Sequence, residues 1–571
     1  MHTSTDGQIW DKDASYEYYA HGPLKRTVLG EDKVQGLDYT YTLQGWLKGI
    51  NHPGLTGDPG QDGVGSSKVG RDAFGMSLGY YAGDYKRTTH PLSSELLGVN
   101  HAPATGKSLY NGNIAAWSSG HFYQVAGAAR QTVAAERFSY DELNRIKSSS
   151  YTELGATRNA QAFGTTYGYD PNGNLNTLTR NDASGGSLDQ LTYNYAKDSN
   201  GKLINNKLQH VQDAVTTAAL EDVESQNAGN YSYDAIGNLT GDVQSGISSI
   251  SWTPYGKPLQ ISKANGSAIK FGYDASGNRI LKEQGSRTTY YVRDASGNVM
   301  ATYVKEPVAG STTPELRLTE QPIYGSTRIG QRQLSVPVGA GAGNGEVYTR
   351  ELGLKRYELP DHLGNVRAVV SDKKVLVSGL FQPDVHQSTA YYAFGQEQKG
   401  RIEVSAPDAY RYGYNGKEKD QSGEWGLTSY DYGFRIYNPA IAKFLSVDPL
   451  TKSYPMLTPY QFASNRPIDG IDLDGLEFYK VATTYDFKVV PTISLGSKNQ
   501  FVIEPILNSY KALGLGSGKK PEEGKSIGDG IDTAIDLGLE FKDFGIWEST
   551  KLGELVRTFE QGKSVFGVWE N

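Results

Sequence analysis

The chain has 571 residues, 68 of them glycine and 39 tyrosine, with 37% hydrophobic residues and a net charge of −7. That composition suits many short strands joined by tight turns, in several domains or one large repetitive body, and argues against long packed helices. The negative balance and the lack of a basic stripe exclude a chain-wide nucleic-acid surface. The absence of cysteine excludes disulfides, thiolate nucleophiles and zinc sites built on sulfur, and no run approaches the ~18 apolar residues of a membrane span.

The chain opens on "MHTSTDG", which has neither the basic start nor the apolar stretch of a signal peptide, so any export signal is expected elsewhere. "YEYYAHGPLKRTVLG" and "LDYTYTLQGWLKGINHP" already read as repeat-like sequence. Residues 1–130 are therefore expected to be a divergent repeat region, and the expectation leaves open a complete shell, an upstream portion that has been lost and one supplied by another chain. Stretches such as Gly54–Gly70 and Pro337–Glu346 interrupt the pattern and read as loops.

From residue 131 to 409 one unit recurs. Asp-x-x-Gly-Asn begins at Asp170, Asp234, Asp274, Asp294 and Asp361, usually just after a Tyr, with related turns in "FSYDELNRIKS" and "YNYAKDSNGKLI". Aromatic and small residues alternate up to each Asp and again beyond each Asn. Asp at the first position of a turn caps its backbone, and Gly three residues later accepts the left-handed conformation of a bulged hairpin. Each copy is a β-hairpin whose Tyr is expected to stack along the sheet with its hydroxyl free to find a partner at the edge. A calcium loop fails on register: an EF-hand places Gly sixth and an acid twelfth, whereas here Gly is fourth and Lys305 holds the twelfth place after Asp294. No metal and no cofactor is expected. The spacing, 20 residues from Asp274 to Asp294 but 40 from Asp234 to Asp274, suits a wound sheet better than a propeller of equal blades.

These units resemble the tyrosine-aspartate (YD) repeats of the Rhs family, which includes shell subunits of bacterial toxin complexes and, more distantly, the teneurins. "YRYGYNGKEKD" at Tyr410 and "YDYGFRIYNPAIAKFLSVDPLTKSYPMLTPYQFASNRPIDGIDLDGLE" at Tyr430 resemble the Rhs repeat-associated core domain in its Bacteroidetes version. The resemblance implies a mainly β fold: a YD-repeat shell spiralling into an open or partial cocoon, closed by a core domain at 410–476. A variable C-terminal domain at 477–571 would be held inside. It also implies, in many members, an aspartyl protease in the core that cuts the chain just past its final motif.

Such chemistry requires two carboxylates that share one proton. The family places them in Asp-Pro-x-Gly motifs. Asp448-Pro449-Leu450-Thr451 lacks the Gly of the first, and Asp472-Leu473-Asp474-Gly475 lacks the Pro of the second. The functional reading pairs Asp448 with Asp472, keeps Asp474 as substitute, and cuts between Leu476 and Glu477. The structural alternative makes both segments ordinary turns. Arg435 and Arg466 could steady a carboxylate or hold core turns together.

After Leu476 the texture changes to one or two strands, a "LGLGSGKKPEEGKS" link, and helical spacing at Ile527, Ile531, Ile535 and again at Leu552, Leu555, Val556, Phe559, giving a small α+β tail. All nine histidines precede it, and Asp529, Asp532, Asp536 and Glu540 describe the polar face of a helix without marking a site. The leading expectation is a secreted or cell-surface shell of a bacterial polymorphic toxin. Its partners would be its own C-terminal domain, an immunity protein or delivery machinery. The alternatives are a glycan-binding adhesin, whose exposed Tyr rows stack on sugars, and an inactive remnant of recombination.

Overall fold

The computed structural model describes residues 1–481 except 5–6, 8, 56–58, 64–66, 86–107, 126–127, 154–158, 217–221, 309, 339–350, 405–409, 421–424 and 427. Backbone contacts divide the chain into Met1–Ile493 and Ser494–Asn571. The second unit, and with it the expected tail helices, lies outside the described residues, as does most of Pro337–Glu346.

Among the described residues the first unit is antiparallel β-sheet with no α-helix. A twelve-stranded sheet runs from Ala14–Tyr18 to Leu203–Asp213, and a fourteen-stranded sheet from Tyr231–Tyr233 to Glu397–Val404. In both, each strand pairs with its neighbours in sequence, so the sheets are meanders in which most connections are hairpins or short loops set by local turn chemistry, with longer links before Phe74–Gly79, Ala116–Val125 and Lys355–Pro360.

The repeated turns are built alike. Asp170 Oδ1 accepts the Asn174 backbone N–H and its Oδ2 accepts Asn174 Nδ2, both at 2.8 Å. The same double clasp joins Asp234 to Asn238, Asp274 to Asn278, Asp294 to Asn298 and Asp361 to Asn365. The intervening glycine is left-handed, at φ 90° for Gly173 and 91° for Gly297, which an L side chain resists. The register shifts at the residue just before the Asp, between Gly168 and Tyr169 and between Gly272 and Tyr273.

The tyrosine hydroxyls find their partners in backbone carbonyls. Tyr169 donates to the Ile146 carbonyl at 2.8 Å, Tyr195 to Leu175 at 2.9 Å, Tyr273 to Pro258 at 2.7 Å and Tyr391 to Val366 at 3.1 Å. Leu175 and Val366 each directly follow a clasped Asn, so the ring of one repeat straps down the exit of the preceding turn. These rings are structural ties, with their hydroxyls committed to backbone.

Segment 410–476 packs on both large sheets. Buried Arg180 of the first sheet donates to the Ala440 carbonyl at 2.8 Å and pairs with Asp189 at 2.6 Å, and Tyr193 donates to the Ile441 carbonyl at 3.0 Å. From the second sheet, Tyr291 donates to Glu418 at 2.8 Å and Arg279 pairs with it at 2.9 Å. Burial raises the proton affinity of Glu418, but Arg279 and Arg411 more than reverse this and hold it well below the usual carboxylate range.

Candidate functional site around Arg435

The interior of 410–476 is an aromatic cluster. Tyr437 and Phe462 stack at 4.2 Å between centroids, and Tyr432, Tyr414 and Phe444 surround them. Against it lies Arg435, 1% exposed, its guanidinium 3.7 Å from the Phe444 ring centroid. A buried guanidinium is retained where its donors are met by acceptors, and here they gather the residues singled out from sequence. Nη2 lies 3.0 Å from Asp448 Oδ2 and 3.5 Å from Asp472 Oδ1. Nη1 donates to the Pro459 carbonyl at 3.3 Å, and Nε donates to the Gly475 carbonyl.

Each aspartate is fixed by its own element. Asp448 starts a turn: its Oδ1 accepts the Leu450 N–H at 2.7 Å, and its carbonyl accepts the Thr451 N–H at 3.0 Å. Asp472 lies on the strand Gly470–Leu473, 1% exposed, with Oδ2 accepting the Ala463 N–H at 3.1 Å. Burial pushes Asp472 up to about 7, against the pull of Arg435; Asp448 is also raised by burial, with Arg435 opposing and Glu477 adding to the rise. The two carboxylates therefore share an arginine nitrogen, where the sequence reading has them share a proton.

Asp474 stands apart from this pair. It occupies a left-handed position (φ 51°) in the Asp474-Gly475 turn, pairs with Lys417 at 2.9 Å, and its carbonyl accepts the Phe434 N–H at 3.0 Å. Arg466 is likewise elsewhere, on Asp469. Leu476 closes the turn through its N–H on the Leu473 carbonyl at 2.9 Å, and Glu477 begins the strand Glu477–Lys480, which pairs back on Gly470–Leu473. Lys417, Tyr454, Pro459 and Ala463, which also hold these residues, carry no motif that marks them in sequence.

Residues 124–304 match the Teneurin YD-shell family. The fold is similar to the crystal structure of TcdB2-TccC3, with a TM-score of 0.54 and 17% identity, covering 83% of this chain and 20% of that one. The form of that complex without its hypervariable C-terminal region gives a TM-score of 0.53 at 18% identity, with the same coverage. The fold is that of a YD-repeat β shell. Among curated relatives, this YD shell is 24% identical to toxin subunit YenC1 of Yersinia entomophaga over 433 residues, 72% of this chain and 39% of that protein. It is 27% identical to salivary gland surface protein 1 of Aedes aegypti over 301 residues, 50% of this chain and 8% of that protein. The chain thus spans well under half the length of either relative. No helix among its described residues is long and apolar enough to cross a membrane.

Proposed function

We propose that this YD shell is the scaffold of a secreted bacterial polymorphic toxin, that it encapsulates the variable segment 477–571, and that it frees that segment by cutting its own chain between Leu476 and Glu477. One observation carries the cleavage reading: a single buried residue, Arg435, holds Asp448, Asp472 and the Gly475 carbonyl one peptide short of Leu476. The fold shared with a complex that has a hypervariable C-terminal region supports a variable segment after the core. Release inside the shell would give an immunity protein and a delivery machinery their places as partners.

The chemistry divides between the aspartates. Asp472, raised by burial to about 7, still carries a proton in about half of the molecules at neutral pH and supplies the acid; Asp448, ion-paired to Arg435, is the base. Asp448 takes a proton from water as the oxygen bonds to the Leu476 carbonyl carbon, while Asp472 protonates that carbonyl's oxygen. Collapse of the tetrahedral intermediate then breaks the C–N bond, with a proton passing to the Glu477 nitrogen. Arg435 keeps Asp448 ionised beside a neutral Asp472.

Intact mass of the full chain, beside an Asp448→Asn, Asp472→Asn double variant, tests this. A wild-type fragment beginning at Glu477 that is absent from the double variant is expected. A wild-type chain that stays whole through incubation across pH 4 to 8 overturns the cleavage reading and leaves a scaffold with a covalently attached tail.

A further inference from the structure

The bond between Leu476 and Glu477 is held from both sides. On its acyl side Arg435 takes the Gly475 carbonyl. On its amine side the Tyr454 hydroxyl donates to Glu477 Oε2 at 2.8 Å. Tyr454 lies on the turn that begins at Asp448: Ser453 N–H bonds to the Leu450 carbonyl at 2.8 Å and Tyr454 N–H to the same carbonyl at 3.2 Å. One short loop therefore carries an aspartate for the chemistry at one end and a grip on the following residue's side chain at the other. Glu477 is in turn paired with Leu473 across the hairpin that bears Asp472.

We propose that Tyr454 is a positioning residue and Glu477 its recognition element, so that the shell reads the first side chain of the segment it releases and cuts efficiently only before a residue that accepts the Tyr454 hydrogen bond. This rests on the self-cleavage reading. The requirement is chemical: aspartate-catalysed hydrolysis needs the peptide fixed relative to both carboxylates, and a mobile amine side loses the advantage of a near-attack geometry. The Glu477 carboxylate also adds a negative charge near Asp448. The charged groups around Asp448 are thus Arg435, Asp472 and Glu477. Neutralising Glu477 should make Asp448 easier to ionise, which moves the acid limb of a cleavage profile to lower pH.

The test follows self-cleavage of the full chain by intact mass over time and across pH, for wild type, Tyr454→Phe, Glu477→Ala, Glu477→Gln and the Tyr454→Phe, Glu477→Ala pair. Loss of a hydrogen bond to a carboxylate is expected to slow Tyr454→Phe and Glu477→Ala by about tenfold or more. The pair should be no slower than either single variant, since both remove one contact. Glu477→Gln, whose amide oxygen accepts, should recover most of the rate lost in Glu477→Ala, with its acid limb at lower pH. Tyr454→Phe cleaving at the wild-type rate overturns the proposal. So do multiplicative losses in the pair, which would place the effect of Tyr454 on another contact. A wild-type chain that never cleaves overturns the self-cleavage reading itself and this proposal with it, whereas a cleaving wild type matched by Tyr454→Phe overturns the clamp alone.

Discussion

Asp170→Ala and Asp294→Ala remove the same clasp from two hairpins that differ in burial, which isolates what the repeated motif contributes. Asp170 is 8% exposed and Asp294 is exposed, yet each holds its Asn through a backbone N–H and a side-chain Nδ2 at 2.8 Å. A hydrogen bond to a charged acceptor contributes about 1.5–3 kcal/mol, and a buried donor left without a partner carries its full desolvation cost. Truncating Asp170 strands the buried Asn174 N–H, while Asn174 Nδ2 keeps its bond to Asn206 at 2.8 Å. The expected loss is about 3–5 kcal/mol. Water replaces the bonds lost at Asp294, and the expected loss there is about 1 kcal/mol. Urea midpoints followed by tryptophan fluorescence at unchanged slope would read both, and cycles with Asn174→Ala and Asn298→Ala would separate the pair term. Equal losses at the two sites, or a loss under about 1 kcal/mol at Asp170, would refute burial as the deciding variable.

Arg435→Met should destabilise the chain by about 3–5 kcal/mol in the same assay, because it strands Asp472 and two backbone carbonyls in the interior; a loss below about 1 kcal/mol would contradict the assigned contacts. For Asp274, burial raises the proton affinity, but the N–H groups of Asn278 and Ser276 and the Asn278 amide outweigh it and bring it below its ordinary value. A carboxylate whose folded-state value is depressed contributes stability that is present above the ordinary value, near 3.8, and is lost as pH falls through the folded one. The stability gap between wild type and Asp274→Asn should therefore shrink below about pH 4. A gap that stays constant from pH 6 to pH 2 would show that the carboxylate charge does not hold this turn.

What was legible in the sequence is what is local. The turn at Asp170 is decided within five residues, by an Asp that caps, a Gly that turns left-handed and an Asn that answers the Asp. Its hairpin could therefore be read without knowing where the strands go. The role of that Asn was not read, because its partner is the Asp already assigned to capping. The reading gave the tyrosine hydroxyls partners at the sheet edge without naming them; the structure supplies backbone carbonyls, which sequence could not name because they sit on an earlier hairpin. The straps span 23 residues from Tyr169 to Ile146, 20 from Tyr195 to Leu175, 15 from Tyr273 to Pro258 and 25 from Tyr391 to Val366, beyond the reach of any local turn motif.

The candidate site was legible as two imperfect motifs and nothing more, for a physical reason. A carboxylate's role depends on what faces it, and what faces Asp448 and Asp472 is Arg435, which lies 37 residues from Asp472 in sequence. From sequence, Arg435 and Arg466 were equal candidates to steady a carboxylate, and only packing separates them. Phe444 and the rings behind it give Arg435 a floor that turns its fork toward both aspartates, while Arg466 is spent on Asp469 beside it. The same packing demotes Asp474, the one aspartate of the group that keeps a complete Asp-Gly pair, because the left-handed turn that suits that pair points its carboxylate to Lys417. The aspartate kept as the substitute is thus the one the fold uses as a turn, and the two paired in the sequence reading are the ones that meet at Arg435.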